Sequence, residues 1–135
     1  MVISPDNLRG WWKLSEAWHE FDVRPRKYPY QRGHGSLVFT EDGRMMLVII
    51  AEQGIAHPPE YDMEAYSGSF ILDGSEIVTK IDVSSRQEWR GRDLRQSLSL
   101  SLDGSRLFVT APKQTSSLYS GTSFTPVFNW YRIPR

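Results

Sequence analysis

The sequence predicts an all-β domain of eight antiparallel strands, arranged as a barrel or a sandwich. Three observations predict it. Short runs of alternating apolar and polar residues recur along the 135-residue chain, separated by turn residues. Three of the breaks are tight, and each carries Asp-Gly: Glu41-Asp42-Gly43-Arg44, Asp73-Gly74 and Asp103-Gly104. That dipeptide supplies the positive φ values that short hairpins need. The other four breaks are long, and tight and long breaks alternate along the chain.

Taken in order, the strands are 10–21, 35–40, 44–51, 67–72, 76–83, 94–101, 105–111 and 123–133. Successive side chains on a strand point to opposite faces. In the first strand Trp12, Leu14, Glu16 and Trp18 share one face, against Lys13, Ser15, Ala17 and His19. Gly35, Leu37 and Phe39 go together on the second. The third, RMMLVIIA, is apolar on both faces. On the fourth, Gly68, Phe70 and Leu72 align with Tyr66. The fifth sets Ile77, Thr79, Ile81 and Val83 against Val78, Lys80 and Asp82. The sixth sets Leu94, Gln96, Leu98 and Leu100 against Arg95 and three serines. Leu107, Val109 and Ala111 share a face of the seventh, and Phe124, Phe128, Trp130 and Arg132 a face of the eighth.

The long connections are 22–34, 52–66, 84–93 and 112–122. In the second of these, Pro58 or Pro59 suits the first turn of a short helix and Glu60 with Asp62 its positive end. That helix is either a lid or a plain crossover. In an up-and-down order the tight turns fall at one end and the long loops at the other. The long-loop end is the natural mouth.

Composition bounds the function. The length is that of one domain, 1–135. Sixteen basic and sixteen acidic residues cancel, which removes the electrostatic case for nucleic acid or an anionic membrane. There is no cysteine, so thiol catalysis and thiolate metal sites are excluded. His19, His34 and His57 are scattered without metal-ligand spacing. No metal and no cofactor are expected. No apolar run reaches the ~18 residues of a membrane helix, and the first twenty residues show no signal-peptide core. A cytoplasmic location is the expectation.

The ordered pieces resemble the lipocalin-like domain family of small intracellular bacterial and fungal barrels. The resemblance is carried by Leu8-Arg9-Gly10-Trp11-Trp12-Lys13-Leu14, Tyr28-Pro29-Tyr30, the hairpin from Gly35 to Met45, and Tyr66-Ser67-Gly68. It continues through Val83-Ser84, Trp89 with Gly91, Gly104-Ser105-Arg106-Leu107 and Trp130-Tyr131-Arg132. It spans nearly the whole chain and implies a closed eight-stranded antiparallel up-and-down barrel. Trp12 would then plug the floor with Arg132 stacked on its ring. Met45, Leu47, Ile49 and Ala51 match the family's inward set. The family often has an inward Arg on the sixth strand; here either Gln96 or Arg95 faces inward, depending on a one-residue register.

That interior is apolar and aromatic with few polar members, the description of a small-molecule pocket or of a filled core. The expected function is binding of a small apolar or aromatic molecule bearing a polar oxygen. The alternative is cofactor-free isomerisation or cyclisation of such a molecule. In that reading Glu16, raised in pKa by burial, is the acid or base, and Tyr66 and Gln96 polarise a carbonyl. The expected lining is Trp18, His34, Leu37, Phe39, Leu47, Ile49, Phe70, Thr79, Trp89 and Phe128. Arginines near 86–95 and basic residues in 24–32 would ring the mouth. Met46, Val48 and Ile50 form an outward apolar stripe, a candidate homodimer contact.

Overall fold

The computed structural model describes residues 2–20, 25–27, 30–51, 62–115 and 123–134. Eight long strands form the wall: β1 (Gly10–Glu20), β3 (Tyr30–Phe39), β4 (Arg44–Ala51), β5 (Met63–Asp73), β6 (Glu76–Ser84), β7 (Asp93–Leu100), β8 (Arg106–Thr110) and β10 (Ser123–Arg132). Each pairs antiparallel with the next, and β10 pairs back onto β1, so the barrel closes. Two short strands lie outside this ring: β2 (Pro25–Lys27) on β1, and β9 (Gln114–Thr115) on β10. The tight turns hold Gly43, Gly74 and Gly104 at φ of +82°, +63° and +76°, a region L side chains avoid. The expected helix of 52–66 falls largely outside the described residues. The helix that is described, α1 (Pro5–Leu8), begins with a capping box between Ser4 and Asn7. Among the described residues no helix is long and apolar enough to cross a membrane.

The tight-turn end is sealed as the sequence suggests. Trp12 is fully buried, and its indole Nε1 donates to the Leu8 carbonyl at 2.8 Å. The Arg132 guanidinium lies 4.2 Å over the Trp12 ring. It donates to the carbonyls of Arg9 (2.7 Å) and Gly104 (3.2 Å), and to that of Asn7. Directly opposite residues share a face, so the row Trp12, Leu37 and Leu47 turns inward together.

Two strands whose burial is described depart from simple alternation. In β6 the ladder with β5 shifts between Ser67 and Gly68, so Val83, expected inward, is corrected to outward at 64% exposed, and Ser84 is buried in its place. The other is β1. Between Leu14 and Glu16 the β1–β10 ladder shifts by a residue. Leu14 stands opposite Trp130, yet Glu16 stands opposite Asn129 and Ala17 opposite Phe128. The extra residue, Ser15, is a β-bulge, which reverses the inward set beyond it. Ala17 is buried, and Glu16 is exposed. The expectation of an inward Glu16 is therefore corrected, and Trp18, on the same face as Glu16, is half-buried on the outside.

β4 keeps strict alternation. Met45, Leu47 and Ile49 are buried, while Met46, Val48 and Ile50 are 51%, 37% and 48% exposed. Trp11, Val38, Met46, Ser67 and Val83 form one outward row across five strands through successive pairings.

Candidate functional site

The lumen holds a cavity. About 750 Å³ within it is free of atoms, including the part open to solvent. Its apolar lining includes Leu37, Phe39, Leu47, Leu98, Val109 and Phe128, with Glu64, Tyr66, Thr79, Arg86, Trp89 and Gln96 as its polar and amphipathic members.

β5 places the first two polar groups. Glu64 stands opposite Ile49, which is fully buried, and Tyr66 stands opposite Leu47. The ladder therefore turns both inward. Glu64 is 7% exposed and Tyr66 5%. The connection after β6 then folds over them. Ala65 and Ser85 tie it to β5, the Ala65 carbonyl accepting from the Ser85 amide at 2.8 Å and the Ala65 amide donating to Ser85 Oγ at 3.0 Å. That connection delivers Arg86, whose Nε lies 3.3 Å from Glu64 Oε1. The 3-10 turn Gln87–Trp89 follows directly. Trp89 lies under the Arg86 guanidinium, 5.0 Å from it, and meets the Tyr66 ring edge-on at 5.9 Å. The Gln96 side chain hydrogen-bonds the Tyr66 phenol.

Electrostatics follow from burial. Loss of water raises the Glu64 carboxyl above its ordinary value, and the Arg86 charge opposes that rise. Burial also pushes the Tyr66 phenol up, helped by the nearby Glu64 carboxylate and opposed by Gln96. Tyr66 is thus a neutral hydrogen-bonding phenol across the physiological range. Thr79 is 1% exposed, and its Oγ1 has no hydrogen-bond partner among the described residues.

Leu37, Phe39, Leu47, Tyr66, Thr79, Trp89, Gln96 and Phe128 of the expected residues line this cavity. Gln96 is the inward member of its pair. Arg95 faces outward, where its Nη1 meets Asp73 and Glu76, each at 3.0 Å. The remaining expected residues are not among the cavity's lining. Glu16 and Trp18 lie outside because of the bulge at Ser15. His34 is half-buried, in the stretch of β3 where the ladder with β4 is irregular, and is not part of the lining. Ile49 is buried beside Gly35 and Leu14 rather than on the free space. Phe70 is turned edge-on to Phe39 at 5.2 Å. The expected basic rim is also changed: Arg86 turns in toward Glu64, and the side chains of 24–32 lie outside the described residues.

Sequence reasoning missed Glu64 and the inward turn of Arg86. The signal for Glu64 was present: counting back by two from Tyr66 reaches it, had the fourth strand been started at 63 rather than 67.

A solved structure from Bacteroides uniformis, described as a lipocalin-like protein, matches with a TM-score of 0.52 at 14% identity, over 94% of this chain and 99% of that one. The chain has a lipocalin-like fold. An uncharacterized protein from Bacteroides eggerthii is also similar, at 12% identity and a TM-score of 0.49, over 93% and 99% of the two chains. At such identities the likeness is one of fold alone. No protein-family model matches the chain, and no curated protein matches it in sequence.

Proposed function

We propose that this lipocalin-like barrel binds a small, mostly apolar or aromatic molecule that carries a polar oxygen. The observation that supports the reading is the cavity itself: apolar walls around a few convergent polar groups. Native mass spectrometry of the protein after exposure to a metabolite extract tests it. A retained small-molecule adduct is expected, and Ala111→Trp, which fills the lumen from a small lining position, should abolish it while the circular dichroism spectrum stays that of the folded barrel. A bare wild-type protein refutes the reading.

A second reading is cofactor-free isomerisation of the bound molecule. Burial of Glu64 beside Tyr66 supports it, with the acid-base role passing from the outward Glu16 to Glu64. Under that reading Glu64→Gln loses turnover of a recovered ligand and keeps its affinity. Unchanged turnover rejects it.

We propose further that the outward stripe of Met46, Val48 and Ile50 meets a second copy of this chain. The support is that four of the five residues in the row through Met46 are apolar, Ser67 being the exception, and that Arg44 and Asp82 beside it neutralise each other in an ion pair. Two such faces can meet without like-charge repulsion.

A further inference from the structure

We infer that Thr79 is the anchor for the ligand's oxygen, and that the ligand is an uncharged molecule bearing a carbonyl group. This rests on the reading of the lumen as a binding cavity and names the chemistry that cavity selects.

The argument begins with hydrogen-bond accounting. Buried polar atoms are almost always paired, so an orphan asks for an explanation. Thr79 lies in the middle of β6, with Phe70 opposite on β5 and Leu94 opposite on β7. Those two neighbours are apolar and can offer its side chain nothing. The polar side chain diagonal to it is Gln96, since Leu94 faces Thr79 and Ile77 faces Gln96. Gln96 is turned to the Tyr66 phenol. Among the described residues Thr79 Oγ1 is therefore a hydroxyl with an uncommitted proton, buried on the wall of the cavity. A threonine hydroxyl donates one hydrogen bond and can rotate to suit its acceptor. A carbonyl oxygen supplies that acceptor and needs no proton of its own. The Gln96 amide nitrogen carries two N–H groups, and one of them can add a second donor from the adjacent strand.

Charge decides the rest. Among the described residues the charged groups of the lining are Glu64 and Arg86, and they face each other at 3.3 Å. Their charges cancel locally. An anionic guest would lose its water and find its only cation already engaged with a carboxylate. A cationic guest would meet the same obstacle in reverse. Burial of an uncompensated charge is far costlier than burial of a carbonyl that finds a donor, so the cavity favours a neutral ketone, aldehyde, ester or amide on an apolar frame.

The test uses two fluorescent probes of nearly one shape: the neutral ketone 6-propionyl-2-(dimethylamino)naphthalene, and its carbonyl-free parent 6-propyl-2-(dimethylamino)naphthalene, in which a methylene replaces the carbonyl. Titrations are run on wild type, Thr79→Val and Thr79→Ser. Wild type should bind the ketone more tightly than its parent. Thr79→Val, nearly isosteric, should weaken the ketone about tenfold, the scale of one buried hydrogen bond. It should leave the parent unchanged and shift the bound ketone's emission to the blue. Its ligand-free melting temperature should not fall, because an unpaired hydroxyl has been removed. Thr79→Ser should keep the preference for the ketone, and serves also if the valine variant fails to fold. Equal weakening of both probes by Thr79→Val would show that Thr79 only shapes the wall, and would overturn the inference while leaving the cavity reading intact. So would an unchanged ketone affinity. Failure of wild type to bind either probe would overturn both.

Discussion

Replacing Arg132 by methionine should destabilise the barrel by about 3 kcal/mol. The magnitude comes from what the guanidinium holds. It donates to three main-chain carbonyls, those of Asn7, Arg9 and Gly104, and it covers the Trp12 ring at 4.2 Å. A hydrogen bond from a charged donor contributes about 1.5–3 kcal/mol, and a cation–π contact about 0.5–2 kcal/mol. Arg132 is only half-buried, so the freed carbonyls recover water and each contribution is discounted to about 1 kcal/mol or less. Unfolding entropy of about 2.1 cal/mol/K per residue gives ~0.28 kcal/mol/K for a chain of 135 residues. The melting temperature should then fall by about 10 °C. Urea titration followed by circular dichroism measures the change directly, with the slope held equal between variants. Arg132→Lys should recover less than half, because an ammonium cannot reach three carbonyls from one plane. Ligand affinity should be untouched, since Arg132 is at the sealed end. A loss below about 1 kcal/mol would show that the floor is held by Trp12 packing alone and would refute the reasoning.

Three other outcomes are expected. Gly68→Ala should cost about 3 kcal/mol, because a Cβ there would stand 2.0 Å from the Lys80 carbonyl oxygen, which is backbone and cannot yield without parting β5 from β6; a melting temperature within 1 °C of wild type would contradict this. Glu64 holds its proton more tightly folded than unfolded, so its contribution to stability is full below its ordinary value of 4.5 and is lost as pH rises through the raised folded value. Urea midpoints between about pH 4 and pH 8 should therefore decline more steeply for wild type than for Glu64→Gln, and parallel curves would count against it. Val48→Glu should convert a dimer to a monomer by light scattering at high concentration, whereas a wild type that is already monomeric would dispose of the second-copy proposal.

Much of the wall was legible because a β-ladder repeats. Period-two alternation fixes the inward members of β4, β7 and β8, and of β6 as far as Ile81, from a few anchors, and Asp-Gly fixes three of the turns. What was not legible arises where the period breaks. The Ser15 bulge is imposed by the register with β10, a strand more than a hundred residues away, and nothing local in Leu14-Ser15-Glu16 announces it. Glu64 was lost for the opposite reason: the period continues further toward the mouth than turn residues suggested, so an inward carboxylate was read as loop. The inward turn of Arg86 depends on that carboxylate, and could not be found before it. The chemistry of the lumen thus hinges on two small matters of phase, one added residue in β1 and one strand begun four residues early.

The bulge has a larger implication for how such barrels diversify. It makes the parity of β1 a variable separate from its composition: the even positions Trp12 and Leu14 look inward before the bulge, and the odd position Ala17 looks inward after it. Loss of the single residue Ser15 would restore one parity throughout. It would leave the Glu16 carboxylate outside and the Ala17 methyl inside, because each already stands opposite the partner, Asn129 or Phe128, that an unbroken ladder would give it. A barrel of this kind can therefore change the length of a wall strand by one residue and still present the same interior, with the added residue absorbed where the ladder shifts.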